Sequence, residues 1–346
     1  MTTWRLIKDD ISEPCMHFAM EEAIIRCVDE GKSPNTLRIR RVEPSVWIGV
    51  YQDPREDVDI KYCQENGIRI IRRLNPGGAV YQDFGTFCYS AFFRKSFFNN
   101  FKKIPSDDLY GIFGTIVIET FSEFGIQATI APVNDISVGK RKIYGSAQLD
   151  WYSSFVHSGS FLFQVDKAVM QRSLRPSNLK FIDKGFDNVR DRVVNFSELA
   201  DGNVTIDQVM NTFIMKFVSV LKVDLKESGI SEDEMNLAEE LYDVKYSDDN
   251  WTFSTQNNYS TVLSTKIKSG VLLLSLCIEG DKLNDLSVSG DFLIANQKDL
   301  SNYISSIKNM TLDKALQKTR SALLPADLRE GIYDLLIDFQ NSRSHG

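Results

Sequence analysis

The sequence predicts an α+β protein in two parts, 1–253 and 261–346, and three observations carry that expectation. Its 346 residues exceed one ordinary domain and suit two. Segments with strand-type patterning and segments with helix-type periodicity both recur along the chain. The composition shifts near Asn250, and the polar run Ser254 to Ser260 reads as a linker. With 42% hydrophobic and 25% charged residues the chain can bury a sizeable core.

Trp4 to Ile7 predicts a short strand. Pro14 then opens a helix to Glu30, with Met16, Ala19, Met20, Ala23, Ile24 and Cys27 on one face; Gly31 and Ser33-Pro34 end it. Leu37 to Arg41 and Ser45 to Tyr51 predict strands around Glu43-Pro44. A short helix over Val58 to Glu65 leads into the apolar run Gly67 to Ile71. Arg72 and Arg73 follow, then a turn of Asn75, Pro76, Gly77 and Gly78, and strand character resumes at Ala79 to Tyr81. Thr86 to Phe93 is a strand rich in aromatics. Asp107 to Phe124 is a helix whose buried stripe holds Leu109, Ile112, Phe113, Ile116, Thr120 and Phe121, with Ser106 or Asp107 as cap. Strands are expected at Ile126 to Ile130, Asp135 to Val138, Lys142 to Leu149 and Phe155 to Gln164. Helices follow at Asp166 to Ser173, Thr205 to Leu221 and Ser231 to Lys245. Beyond the linker, Thr261 to Lys268, Val271 to Glu279 and Lys282 to Ser289 predict a three-stranded meander. Helices over Gln297 to Ile307, Thr311 to Thr319 and Asp327 to Phe339 complete a small α+β module.

The net charge of −7 argues against a general nucleic-acid binder, though not against a local basic pocket. No apolar run has signal-peptide or membrane-span length. The five cysteines are odd in number and form no CxxC pair, so reduced thiols in a cytoplasmic protein are expected. No GxxxxGK[ST], GxGxxG or HExxH motif occurs. With histidines only at 17, 157 and 345, a zinc site is not expected.

What remains is cationic. In RRLNPGGAVYQD, Arg72 to Asp83, two arginines precede a glycine turn whose N–H groups could face an anion; a plain hairpin turn would look the same. In NDISVGKRKIYGSAQ, Asn134 to Gln148, Lys140 and Arg141 read as a solvated turn. Lys142 instead enters an apolar strand beside the small residues Gly145, Ser146 and Ala147, which leaves room for a ligand.

Together these stretches resemble the lipoate–protein ligase family, whose first motif reads roughly RRxSGGGAVxHD. EPSVWIGVYQD at Glu43 to Asp53, VRDRVVNFSEL at Val189 to Leu199 and SGDFLIA at Ser289 to Ala295 resemble further family segments in the same order. The resemblance implies a biotin/lipoate-ligase-like catalytic domain with a large mixed sheet, followed by a small α+β carboxy-terminal domain that moves against it. It implies that ATP and Mg2+ activate lipoate to lipoyl-adenylate. The lipoyl group then passes to a lysine of an acceptor lipoyl domain: a 2-oxoacid dehydrogenase E2, a glycine-cleavage H protein or a similar carrier. Lys142 is the expected catalytic residue, touching nucleotide and lipoyl carbonyl. Arg73 would hold phosphate or carboxylate, and Gly77, Gly78, Ala79, Val80 and Tyr81 would present backbone to the nucleotide. Asn134 and Asp135 would bind the adenylate or magnesium, with Asp135 as the metal ligand.

Pro76, Gln82 and Ser158 stand where the family carries a glycine and two histidines. These departures suggest an altered acyl substrate, an altered acceptor or lost activity. Lipoate and octanoate both fit a carboxylate on an apolar chain. A non-catalytic ligase-fold protein that binds lipoylated carriers is one alternative. An octanoyl or lipoyl transferase is another, although the cysteine of that branch is missing near Asn134.

Overall fold

The computed structural model describes residues 2–99, 106–131, 134–175, 188–253, 259, 261–294 and 296–344. Its strands in chain order are β1 (Thr2–Lys8), β2 (Thr36–Arg40), β3 (Ser45–Ile48), β4 (Arg69–Arg72), β5 (Val80–Gln82), β6 (Thr86–Arg94), β7 (Thr129–Ala131), β8 (Asp135–Val138), β9 (Arg141–Trp151), β10 (Ser154–Leu162), β11 (Val223–Glu227), β12 (Thr261–Ile267), β13 (Gly270–Glu279), β14 (Lys282–Gly290) and β15 (Met310–Thr311). Eight of them form one mixed sheet in the order β11-β1-β2-β6-β10-β9-β8-β7. Pairings among β11, β1 and β2 are parallel, and those from β2 to β7 are antiparallel. A small sheet, β4-β3-β5, covers part of one face.

Both faces of the large sheet are covered, and period-2 alternation in β6 divides them. Phe87, Tyr89, Ala91 and Phe93 point into an aromatic core beneath the helices Ser106–Ser122 and Ile206–Leu221. Trp4, Phe113 and Phe217 lie in that core fully buried. Cys88 and Phe92 point the other way, toward the helix Pro14–Glu30 and the helix Glu232–Leu241 packed on it. The first of these helices has the bounds its sequence predicts. Pro14 occupies the first turn, the Glu13 carboxylate accepts from the Met16 N–H, and Gly31 closes the end with a left-handed φ of 77°.

Several boundaries differ from expectation. The strand expected from Ile126 begins only at Thr129, because the Ile126 N–H still bonds the Phe121 carbonyl at the end of the preceding helix. The edge strand β11 and the helix Pro54–Asp57 were not expected. The expected meander gains a fourth, two-residue strand, β15, against β14. The linker run Ser254 to Ser260 lies outside the described residues except for Tyr259, and the side chains of the expected caps Ser106 and Asp107 also lie outside. The last three helices, Gln297–Ile307, Leu312–Arg320 and Ala326–Ser344, bury their own apolar cluster against β12 to β14. No helix among the described residues is long and apolar enough to cross a membrane.

Buried ion pairs tie the helical layer to the sheet. Glu234, fully buried, accepts from Arg5 at 2.8 and 2.5 Å and from the Ser33 hydroxyl at 2.7 Å. Burial alone would raise its carboxyl; bonds from Arg5, the Ser231 N–H and Ser33 outweigh this and hold it below the ordinary glutamate value of 4.5. Glu22, beside Lys245 and Tyr246, and Asp9, beside Arg38, are likewise lowered against burial. Carboxyls depressed in the folded state contribute stability that is complete above their unfolded values. That contribution is lost as pH falls through the folded ones. The denaturation midpoint should therefore hold near pH 6 and drop steadily below about pH 4.5; a midpoint flat down to pH 3 would remove these pairs as its cause.

Candidate active site

The second face of the sheet carries a cavity of ≈ 910 Å³. Strand register lays out its floor. Arg40, Cys88, Ser160, Gly145 and Asp135 stand directly opposite one another across five neighbouring strands, β2-β6-β10-β9-β8. Ser90, Ser158 and Ala147 form the next row. Phe18 and Trp47 form apolar wall on one side, with Leu162, Met170 and Val193 among the other lining residues.

Lys142 reaches this face through a defect in the strand. Against β8, Ile136 pairs with Tyr144 but Ser137 pairs with Lys142, so β9 carries one extra residue, Ile143. Ile143 and Tyr144 are adjacent yet both lie in the aromatic core on the far face. The extra residue turns Lys142 onto the cavity side, where strict alternation would have hidden it. Its ammonium lies 2.7 Å from Asp135 Oδ1, and Asp135 also faces Arg192 at 3.6 Å. The ammonium lies over Gly145: a Cβ there would sit 2.4 Å from Lys142 Nζ. Gly145→Ala should therefore displace the ammonium, and a misplacement of about an ångström can cost roughly a hundred-fold in rate. The expected result is activity lowered on that order with an unchanged melting temperature; wild-type activity would show that the glycine's room is not needed.

The glycine turn forms the opposite rim. Gly77 has a left-handed φ of 109°, which a side chain would strain. Its carbonyl abuts Gly49, where a Cβ would lie 2.0 Å away, so the two quoted segments interlock at glycine. Gly78, Ala79, Val80 and Tyr81 all line the cavity. Arg73 also lines it, but its guanidinium bonds the carbonyls of Trp47, Pro76 and Gly78 at 2.9, 3.3 and 2.9 Å. Burial lowers it to about 10, so it stays charged at neutral pH. Arg72 is used entirely in structure, bonding carbonyls of Gly49, Val50, Gln52, Trp251 and Thr252. Asn134 is pinned to Ser146 in both directions, at 2.5 and 3.0 Å. Lys140 and Arg141 are exposed, as expected of a turn.

The structure adds residues that the sequence did not single out. Arg192 joins Asp135. Glu21 and Arg40 close one end of the cavity, and Ser269, Asp291 and Leu293 reach it from the carboxy-terminal module. That module touches the rim where Tyr51 stacks on Phe292 and Gln297 donates to the Leu74 carbonyl at 2.6 Å. Two arginines alternating with Leu37 and Ile39 in a strand were a usable signal for Arg40; nothing local marked Ser269. Cationic side chains outnumber anionic ones around the cavity, six to four, in a chain whose net charge is −7. That local balance suits a phosphorylated ligand. Cys88 is on the floor, but burial raises its thiol, which makes it a poor nucleophile. Among the described residues no cluster of three His, Cys, Asp or Glu side chains could hold a metal by itself.

The family model for the lipoyl protein ligase A/B catalytic domain matches residues 13–218. The lipoate-protein ligase LplJ of Bacillus subtilis is 27% identical over 93% of this chain and 92% of its own length. Among solved structures, the bipartite lipoate protein ligase of Thermoplasma acidophilum, described with its E2 lipoyl domain, has a TM-score of 0.65. It is 29% identical and covers 75% of this chain and 100% of its own. A lipoate-protein ligase A bound with ATP aligns with a TM-score of 0.62 at 28% identity, over 73% of this chain and 98% of its own.

Proposed function

Since the chain belongs to the lipoyl protein ligase A/B catalytic-domain family, we infer that it is an ATP-dependent lipoate–protein ligase. The observation that carries the reading is the Lys142 ammonium, held by Asp135 over Gly145 and facing the same cavity as the glycine turn. In the first step a lipoate carboxylate oxygen bonds the α-phosphorus of ATP, and the bond to the β-phosphate breaks to release pyrophosphate. In the second, an acceptor lysine amine bonds the lipoyl carbonyl carbon, loses a proton and releases AMP. Negative charge grows on the α-phosphate and then on the carbonyl oxygen, and a fixed ammonium in a sheltered cavity stabilises both.

Lys142 takes that role. Gly77 to Tyr81 supply backbone to the nucleotide, and Asn134, locked to Ser146, fixes the rim beside it. Arg73 keeps the turn in shape through its three carbonyls while its buried charge favours an anion at the turn. Asp135 is one of the four cavity-lining carboxylates and the one beside Lys142. Such a group suits Mg2+, which is commonly held by one or two carboxylates together with substrate phosphates, and the ion would neutralise phosphate charge there. The acceptor is a lysine on a lipoyl domain, by analogy with the Thermoplasma ligase and its E2 lipoyl domain; an E2 subunit, an H protein or a similar carrier would supply it.

We assign 1–253 to the catalytic domain and 261–346 to an accessory domain, on the separate apolar cluster of the latter. The buried free cysteines support a cytoplasmic setting. The test is exchange of labelled pyrophosphate into ATP with Mg2+ present. Exchange that requires lipoate supports the reading; folded protein that gives none overturns it.

A further inference from the structure

One end of the cavity is not the apolar pocket that a hydrocarbon tail would want. Three strand steps, roughly 14 Å, separate β9 from β2, so an acyl chain extended across the sheet from Lys142 ends near Arg40. Gln82 and Ser158, two of the positions that depart from the family pattern, both border this path. Gln82 donates to Ser160 at 2.9 Å, and Ser158 shares a hydrogen bond with Ser90 at 2.9 Å. Ser90 in turn donates to Glu21 at 2.5 Å.

Arg40 is buried at 3% exposure and lines the cavity. Its partners are all distant, and Nη1 donates to the Arg38 carbonyl at 3.4 Å. Arg40 Nε donates to His17 Nδ1 at 3.2 Å, and burial first, then both arginines, keep His17 neutral. With Nδ1 accepting, the ring hydrogen is assigned to Nε2, which then faces Arg40 Nη2 at 3.3 Å, donor to donor. The Glu21 carboxylate stands 3.4 Å from Nη2, but the same oxygen already accepts from Arg38 at 2.9 Å. Arg38 bonds Asp9 through Nε and Nη2 at 2.6 and 2.9 Å, and its Nη1 is the group that donates to Glu21. The acceptors of this buried cation thus lie at 3.2 to 3.4 Å, longer than a usual charge-assisted bond, and an acceptor on a ligand would complete it.

Resting on the ligase reading, we propose that this end of the cavity selects an acyl chain whose far end carries a hydrogen-bond acceptor, with Arg40 as the specificity-determining residue. Within that reaction it favours lipoate, whose dithiolane sulfurs would lie there, over methyl-ended octanoate. A site built to hydrogen-bond its ligand rejects the analogue lacking the group more strongly than an apolar pocket can. Calorimetric titration of the full chain with lipoate, octanoate and 8-hydroxyoctanoate tests this. Lipoate is bulkier than octanoate, so the hydroxy acid is the deciding arm. Octanoate should bind at least about ten-fold more weakly than either of the others. In Arg40→Met the preference for the hydroxy acid should shrink to within about two-fold; should that variant not fold, the wild-type comparison decides alone. An 8-hydroxyoctanoate no tighter than octanoate overturns the proposal and leaves the ligase reading in place. Failure of all three acids to bind overturns both.

Discussion

Lys142→Ala is expected to lower lipoate-dependent pyrophosphate exchange by a factor of about 10² to 10³ or more, the scale of losing one fixed donor to developing charge. The fold should survive. The bonds that hold this residue in place are backbone ones: β9 pairs with β8 and β10, and the Val194 N–H bonds the Lys142 carbonyl at 2.9 Å. The side chain adds only the pair with Asp135, at 24% and 12% side-chain exposure. Removing it leaves Asp135 with Arg192 at 3.6 Å, so the carboxylate is not stranded. The loss should appear in both half-reactions, because in the proposed role the same ammonium serves phosphate and carbonyl. Transfer from added lipoyl-adenylate to an acceptor domain should fall as well. Normal transfer with lost exchange would restrict Lys142 to the first step; normal exchange would remove the assignment.

The legible part of this molecule is local. Proline at the first helical turn and Gly31 at its end place the helix Pro14–Glu30, and small residues after Lys142 announce room for its amine. The departures at Gln82 and Ser158 were visible as residue types, but what they face was not. The illegible part is set by pairing. The extra residue at Ile143 decides which face Lys142 occupies, and only the register against β8 reveals it. Adjacent Ile143 and Tyr144 are equally compatible with a regular strand buried on both faces. β11 was missed because five residues with three charges, VDLKE, carry little strand signal away from their partner β1. Arg38 and Arg40 alternate with Leu37 and Ile39 as on a half-exposed strand. Only the helix Pro14–Glu30 lying over that face makes them buried and brings Glu21 to them. Arg72 and Arg73 are neighbours of identical chemistry, and the backbone carbonyls around them give both structural work.

Glu234→Ala is expected to cost about 3–5 kcal/mol, the scale of leaving a buried charge without its partner. Three losses coincide. Arg5, 7% exposed, loses both carboxylate bonds, Ser33 loses its acceptor, and the Ser231 N–H at the start of the helix Glu232–Leu241 loses the carboxylate half of its capping box, while the backbone N–H of residue 234 keeps the Ser231 hydroxyl. Chemical denaturation should show the lowered midpoint, and thermal melting a drop of roughly 10 °C. The double change Arg5→Leu with Glu234→Leu removes both charges while still losing the carboxylate half of the cap, so it should recover most but not all of the difference. A double variant no more stable than Glu234→Ala would mean that the unpaired arginine is not the cause. The consequence for the site follows from packing. The helix Glu232–Leu241 holds the helix Pro14–Glu30 against the sheet, and that helix carries Phe18 and Glu21 into the cavity. Loosening it should weaken acid binding in the folded fraction while exchange at saturating lipoate changes little, because Lys142, Asp135 and the glycine turn stand on other elements.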